Sequence, residues 1–262
     1  MKVSFEQIRN CRQITPDNAS FLSRIFFVPA GLPFSYFCLR FGIGANTATL
    51  TRGVIGVTGI FMLCTPVAEI FYIGLFLWYL GTVLDRADGD VARMTDSGSH
   101  AGKCLDGITD LTFEIPVVFA IACHVWFLDE SQGGLLIAAG LSLFACSLWR
   151  IVVFRAALAT KNVEIAQGLN NGEPRRAEHP RIDAFLRKTL LLDEFVEKRL
   201  AFYLWDLRLG LILPLAIFEG LTLYVYAMAA IDILAMIAVI VFRLLRLFAN
   251  DDVHKKSATA TT

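Results

Sequence analysis

Residues 85–110 carry four carboxylates in two pairs, Asp85 with Asp88 and Asp106 with Asp110, at spacings i, i+3 and i, i+4. Helical geometry puts the members of each pair on one face. Both pairs sit at the ends of strongly apolar runs, where charge is costly. An Asp or Arg at the centre of a membrane helix opposes insertion by roughly 2.5–3.5 kcal/mol, so cations, each other or water must compensate these groups. Carboxylate oxygens are hard ligands that suit Mg2+, Mn2+ or Ca2+, whereas zinc prefers His or Cys. Four of them around one or two such ions form a clamp for a diphosphate. Beside it Arg93 offers a guanidinium fork, Gly89 and Gly102 allow close approach, and Ala92 keeps the same face shallow. A purely structural ion-pair cluster is disfavoured, because one arginine cannot neutralise four carboxylates.

Composition defines the elements that must hold these groups. The chain has 262 residues, 56% hydrophobic and only 18% charged, which is too apolar for an ordinary soluble domain and points to an integral membrane protein. Zero net charge argues against a nucleic-acid partner. The six cysteines show no CxxC and no metal spacing, so they read as small buried thiols. No cleavable signal pattern precedes the first apolar run. Stretches 47–67, 69–93, 102–128, 133–158, 201–223 and 224–248 each supply the ~20 residues that a ~30 Å hydrocarbon core requires. The expected fold is therefore all-α and polytopic, with six transmembrane helices. Residues 1–45 precede them as a polar segment and an amphipathic interfacial helix over 24–43, broken by Pro29 and Pro33. The catalytic membrane domain covers 46–250, including a polar connection over 159–200, and a polar tail follows over 251–262. Within the connection, residues 181–199 read equally as a surface helix or a solvated linker.

Lys and Arg set the orientation. None occurs between Arg52 and Arg86, between Lys103 and Arg150, or between Arg208 and Arg243. The turns near 64–69, 129–134 and 219–224 thus lack basic residues, and the positive-inside rule makes the opposite face cytoplasmic, with both termini on it. The apolar part of the second span, Ile70 to Leu84, covers only about 22 Å, so its helix must continue past Asp85 towards Arg93. An eight-residue loop, Met94–Ala101, then joins it to the antiparallel third span. All four carboxylates should face one another in a wet pocket just below the cytoplasmic surface.

The pattern D-x2-D-G-x2-A-R-x8-G-x3-D-x3-D resembles the signature of the CDP-alcohol phosphotransferase (CDP-alcohol phosphatidyltransferase) family, with Asp85, Asp88, Gly89, Ala92, Arg93, Gly102, Asp106 and Asp110 at every fixed position. Ala45-Asn46-Thr47-Ala48-Thr49 is similar to a family segment written Pro-Asn-x-x-Thr, with Ala in place of Pro. The resemblance implies a transferase that moves a substituted phosphate from a CDP-linked alcohol to an acceptor alcohol and releases CMP. It implies that Asp85, Asp88 and Asp106 hold two divalent ions, Mg2+ or Mn2+, with Asp110 also near a metal and acting as catalytic base. It implies that Asp85, Gly89, Ala92, Arg93 and Gly102 line the CDP site. The leading expectation is transfer from CDP-diacylglycerol to a polyol phosphate in phospholipid biosynthesis; the alternative is transfer of a CDP-linked head group or polyol to a lipid or polyol acceptor. Arg155, Asp206 and Arg208, on the cytoplasmic face, are the candidates for an acceptor phosphate, or else membrane-edge anchors. Asp232, inside the last span, reads as a pairing with a neighbouring helix or as an oligomer contact, hence a homodimer. The expected partners are the donor, the acceptor and membrane lipids, without nucleic acid, in a bacterial inner membrane. From another class, a cation transporter would spread its acidic groups through the membrane depth, whereas these gather at one end.

Overall fold

A computed structural model of the chain describes residues 3–12, 20–166 and 201–259. Helix α1, Phe5–Cys11, opens on a reciprocal cap in which the Gln7 amide donates to Ser4 Oγ (3.2 Å) and the Ser4 amide to Gln7 Oε1 (2.9 Å). A π-helical turn, Ser23–Phe27, leads into α2, Val28–Phe41, which ends where Gly42 adopts the left-handed conformation (φ 69°). The remaining helices are α3 (Ala45–Leu63), α4 (Ala68–Met94), α5 (His100–Phe113), α6 (Val117–Leu128), α7 (Gly133–Ala166), α8 (Ala201–Ile217) and α9 (Leu221–Thr259). The described residues contain no strand. Among the described residues, four stretches are long and apolar enough to cross a membrane: Ala68–Met94, His100–Leu128, Glu130–Val152 and Leu221–Val241. Exposed Phe61, Phe76, Ile137, Leu223 and Leu234 suit a lipid-facing surface rather than water.

The chain divides into two compact units, Met1–Leu143 with Phe202–Ala230, and Phe144–Ala201 with Ile231–Thr262. All four motif carboxylates fall in the first, whose centre is the packing of α3 on α4 and α5. Small residues let these backbones approach. A Cβ built on Gly59 would lie 2.8 Å from the Gly74 carbonyl oxygen and from the Trp78 amide, and one on Gly56 would lie 2.5 Å from the Phe113 ring. Trp78, fully buried, donates its indole N–H to the Phe113 carbonyl (2.9 Å). That carbonyl is an orphan of a helix end, and the bond fixes the level of α5 against α4.

Several boundaries differ from those expected. The third span is not one helix: it breaks over Glu114–Pro116, because Pro116 has no amide proton and its ring collides with the carbonyl four residues earlier. The irregularity expected at Pro29 and Pro33 lies upstream of both, in the π-turn, and α2 runs continuously through Pro33. A π-turn widens the backbone ahead of Pro29 and relieves its ring. The hairpin loop is Thr95–Ser99 rather than Met94–Ala101, since Ser99 Oγ accepts from the Gly102 amide (2.9 Å) and starts α5 early. The last helix continues to Thr259 through the stretch expected as a polar tail. Ala45–Leu63 and Ala201–Ile217 are helical as expected but not among the four long apolar stretches; the polar Asn46, Thr49 and Arg52 of α3 account for its lower hydropathy. The connection expected over 159–200 lies outside the described residues from 167 onwards. Gly59→Ala should destabilise the protein by roughly 1–3 kcal/mol through overpacking against backbone that cannot move aside, read as a lower unfolding temperature in detergent.

Candidate active site

Helices α4 and α5 deliver their carboxylates to one place, as helical spacing requires. Ligand oxygens of Asp85, Asp88 and Asp106 all lie within 4.8 Å of one another, and Asp110 joins them through a shared partner. That partner is Arg52, from the middle of α3 and fully buried. Its Nη1 pairs with Asp85 Oδ1. Its Nη2 donates to Asp106 Oδ1 and to Asp110 Oδ1, both at 2.7 Å, and its Nε stands 3.7 Å from Asp88 Oδ2. The guanidinium carbon lies 5.8 Å from the centre of the Phe113 ring, a cation–π floor beneath the cluster. Thr49, one turn before Arg52, donates its hydroxyl to Asp88 Oδ2 at 2.7 Å. Arg86 Nη2 stands 3.4 Å from Asp85 Oδ2.

Charge balance decides what this arrangement can do. Four carboxylates face two guanidinium groups, Arg52 and Arg86, which leaves a formal surplus of two negative charges. Hard oxygen ligands with uncompensated charge fit a divalent cation. Arg52 pairs with one oxygen of each acid; of the second oxygens, Asp85 Oδ2 faces Arg86 and Asp88 Oδ1 accepts from the Gly89 amide (2.6 Å).

Around the cluster, Gly102 brings the first turn of α5 against α3, since a Cβ there would lie 2.9 Å from Asn46 Oδ1. Arg93 folds back over Gly89, where a Cβ would lie 3.3 Å from both terminal nitrogens; it donates to Asp90 Oδ1 (2.8 Å) and stays about half exposed. Ala92 is partly buried in the same turn. Asp206 is brought elsewhere: both its oxygens accept from the Leu22 amide at 3.2 Å, and no bond among the described residues ties it to the carboxylates. Arg208 is buried in the first unit, and the side chain of Arg155 lies outside the described residues.

The sequence profile of the CDP-alcohol phosphatidyltransferase family matches residues 43–187. The chain belongs to this family. No curated protein matches it in sequence. Its fold is similar to crystal structures of a Mycobacterium tuberculosis phosphatidylinositol phosphate synthase. For the apo form the identity is 17%, covering 80% of this chain and 94% of that one, with a TM-score of 0.51. For the complex with manganese and citrate the identity is 17%, covering 81% and 88%, with a TM-score of 0.52. For the form with CDP-DAG bound it is 18%, covering 84% and 94%, with a TM-score of 0.52. As a CDP-alcohol phosphatidyltransferase the protein is a membrane-bound phosphotransferase of phospholipid synthesis.

Arg52 is the residue that sequence reasoning missed. Its signal was present: a lone basic residue inside an apolar stretch, one turn after Thr49, is an intramembrane charge in need of a named partner. Its partners lie 33 to 58 residues away, beyond any local pattern. Arg52→Gln should cost roughly 3–5 kcal/mol, because it leaves buried charge unpaired. Arg86→Gln, at a third-exposed side chain, should cost no more than about 1 kcal/mol. Unfolding of both variants in detergent checks the contrast.

Proposed function

We propose that this chain transfers the phosphatidyl group of CDP-diacylglycerol to an acceptor alcohol such as a polyol phosphate, with release of CMP. The observation that carries the reading is the convergence of four acidic side chains from two antiparallel helices with two negative charges left over. The synthase of similar fold with CDP-DAG bound supports the donor, and its manganese complex supports the metal. In this reading Asp85, Asp88 and Asp106 hold two divalent ions, Mg2+ or Mn2+, with Asp110 at their edge. Bound there, such ions would stabilise the attacking and leaving oxygens of an in-line displacement.

The remaining steps belong to the protein's own residues. Gly89, Ala92 and Gly102 present a shallow wall along which the cytidine diphosphate can lie, and Arg93 directs its spare donors at a phosphate oxygen. Asp110 is the base. Arg52 holds its Oδ1 and orients the carboxylate, so Oδ2 receives the proton of the acceptor hydroxyl when that group comes within hydrogen-bond reach. CMP then departs with its phosphate charge shared by Arg93. We place the site and both termini on the cytoplasmic face of a bacterial inner membrane, on the distribution of Lys and Arg.

Two measurements test this. Purified protein given radiolabelled CDP-diacylglycerol and a panel of polyol phosphates should release CMP only with Mn2+ or Mg2+. Asp110→Asn should lower that rate by roughly 10²–10⁴-fold while Mn2+ binding, followed by electron paramagnetic resonance, persists. Turnover that survives chelation or the Asn substitution removes the mechanism. For orientation, exposed Cys104 in the second turn of α5 should resist a membrane-impermeant maleimide in intact cells and react in inverted vesicles.

A further inference from the structure

Asp90 occupies an open position of the D-G-x2-A-R pattern, two residues past Asp88, so its side chain leaves α4 on a different face from the clustered acids. It is 1% exposed. A carboxylate at that depth costs several kcal/mol unless it is paired and hydrogen-bonded, and Asp90 is both. Its Oδ2 accepts from Arg12 Nε (2.8 Å) and Nη2 and from the Ser35 hydroxyl (2.6 Å). Arg12 follows α1 directly, as its C-cap, and is anchored again by the Val28 carbonyl and by Ser35 Oγ (3.3 Å). Ile8 of α1 packs in one apolar cluster with Val91, the neighbour of Asp90, and with Cys38, Leu39 and Ala48. The carboxylate is thus clamped from α1, α2 and α4 together.

Its other oxygen, Oδ1, accepts from Arg93 Nη2 at 2.8 Å. With Oδ2 saturated, the carboxylate plane is fixed, and so is the direction in which Oδ1 receives Arg93. An arginine in the last turn of a helix and about half exposed otherwise samples many rotamers, which it must give up on binding a ligand. Here one of its donors is spent on Asp90 while the rest stay free. Two guanidinium groups share one carboxylate, so the surplus positive charge falls at the exposed end, on Arg93. We propose that Asp90 is a positioning residue that preorganises Arg93 for the donor's diphosphate, and that the N-terminal segment fixes it through Arg12. The proposal rests on the assignment of Arg93 to the diphosphate made above.

The test is calorimetric binding of CDP, the part common to every CDP-linked alcohol, to the full-length Mn2+-loaded protein, together with steady-state kinetics on CDP-diacylglycerol. Asp90→Asn should raise the Kd for CDP and the KM for the donor about tenfold, or about 1.4 kcal/mol, with kcat falling no more than about threefold. Arg12→Gln, which leaves the Asp90–Arg93 pair in place, should raise the Kd by about threefold and serves if the Asn variant does not fold. On an Arg93→Ala background neither substitution should weaken CDP binding further. A role confined to holding α1 in place would lower the unfolding temperature and leave the Kd and KM alone, which overturns the proposal, as do losses that add on the Arg93→Ala background. Loss of CDP binding in the unaltered protein overturns it as well. If CDP binding depends on Asp90 through Arg93 but CDP-diacylglycerol is not consumed, the donor assignment fails and the positioning role stands.

Discussion

One guanidinium in the midst of four carboxylates governs this fold. Two antiparallel helices that each bring a pair of acids to the same level repel one another. Arg52, from a third helix, turns that repulsion into attraction by taking one oxygen from each acid. The contact demands that α3 run close beside both α4 and α5. The glycines at 56, 59 and 74 meet that demand, since a side chain at any of them would meet backbone or ring atoms at under 3 Å. Helix spacing and charge pairing therefore act on the same three helices, α3, α4 and α5.

The same interaction limits how far stability alone explains the cluster. A guanidinium and four acids are not a neutral set, and Arg86 still leaves negative charge over. If the acids served only to join helices, well-packed apolar residues would do so at less cost. In the function we propose, acidity beyond what the cluster's own cations balance serves a cationic ligand. The orientation of Arg52 is consistent with that use, because it reaches the acids from the α3 side and engages each through a single oxygen.

Legibility from sequence followed the range of each interaction. The pairing of Asp85 with Asp88 and of Asp106 with Asp110 is set by helical periodicity over a single turn, and the short apolar stretch after Ile70 was enough to extend α4 past Asp85 to Met94. Thr49 was legible as part of a spaced segment, though its bond to Asp88 was not. Arg52 and Asp90 escaped because what makes them matter lies on other helices, dozens of residues away. Pro116 was readable as a break, yet the long apolar run around it suggested one uninterrupted span. The Ser99 cap was equally local and shortened the loop; its signal, a Ser ahead of Gly102, is weak without the neighbouring turn.

The final turns of α4 show how one helix end serves two polar networks without mixing them. Asp85 and Asp88 turn to Arg52, whereas Asp90 turns to Arg12 and Ser35. Successive residues on a helix point about 100° apart, so a separation of two positions suffices to direct adjacent acids into different surroundings. Gly89 stands between them without a side chain, and that gap lets Arg93 lie back along the helix and reach Asp90. A Cβ at 89 would stand 3.3 Å from both terminal nitrogens of Arg93, so the guanidinium would have to shift by a few tenths of an ångström. The glycine of the D-G-x2-A-R pattern thus also accommodates an arginine four residues later, quite apart from any room it leaves for a nucleotide.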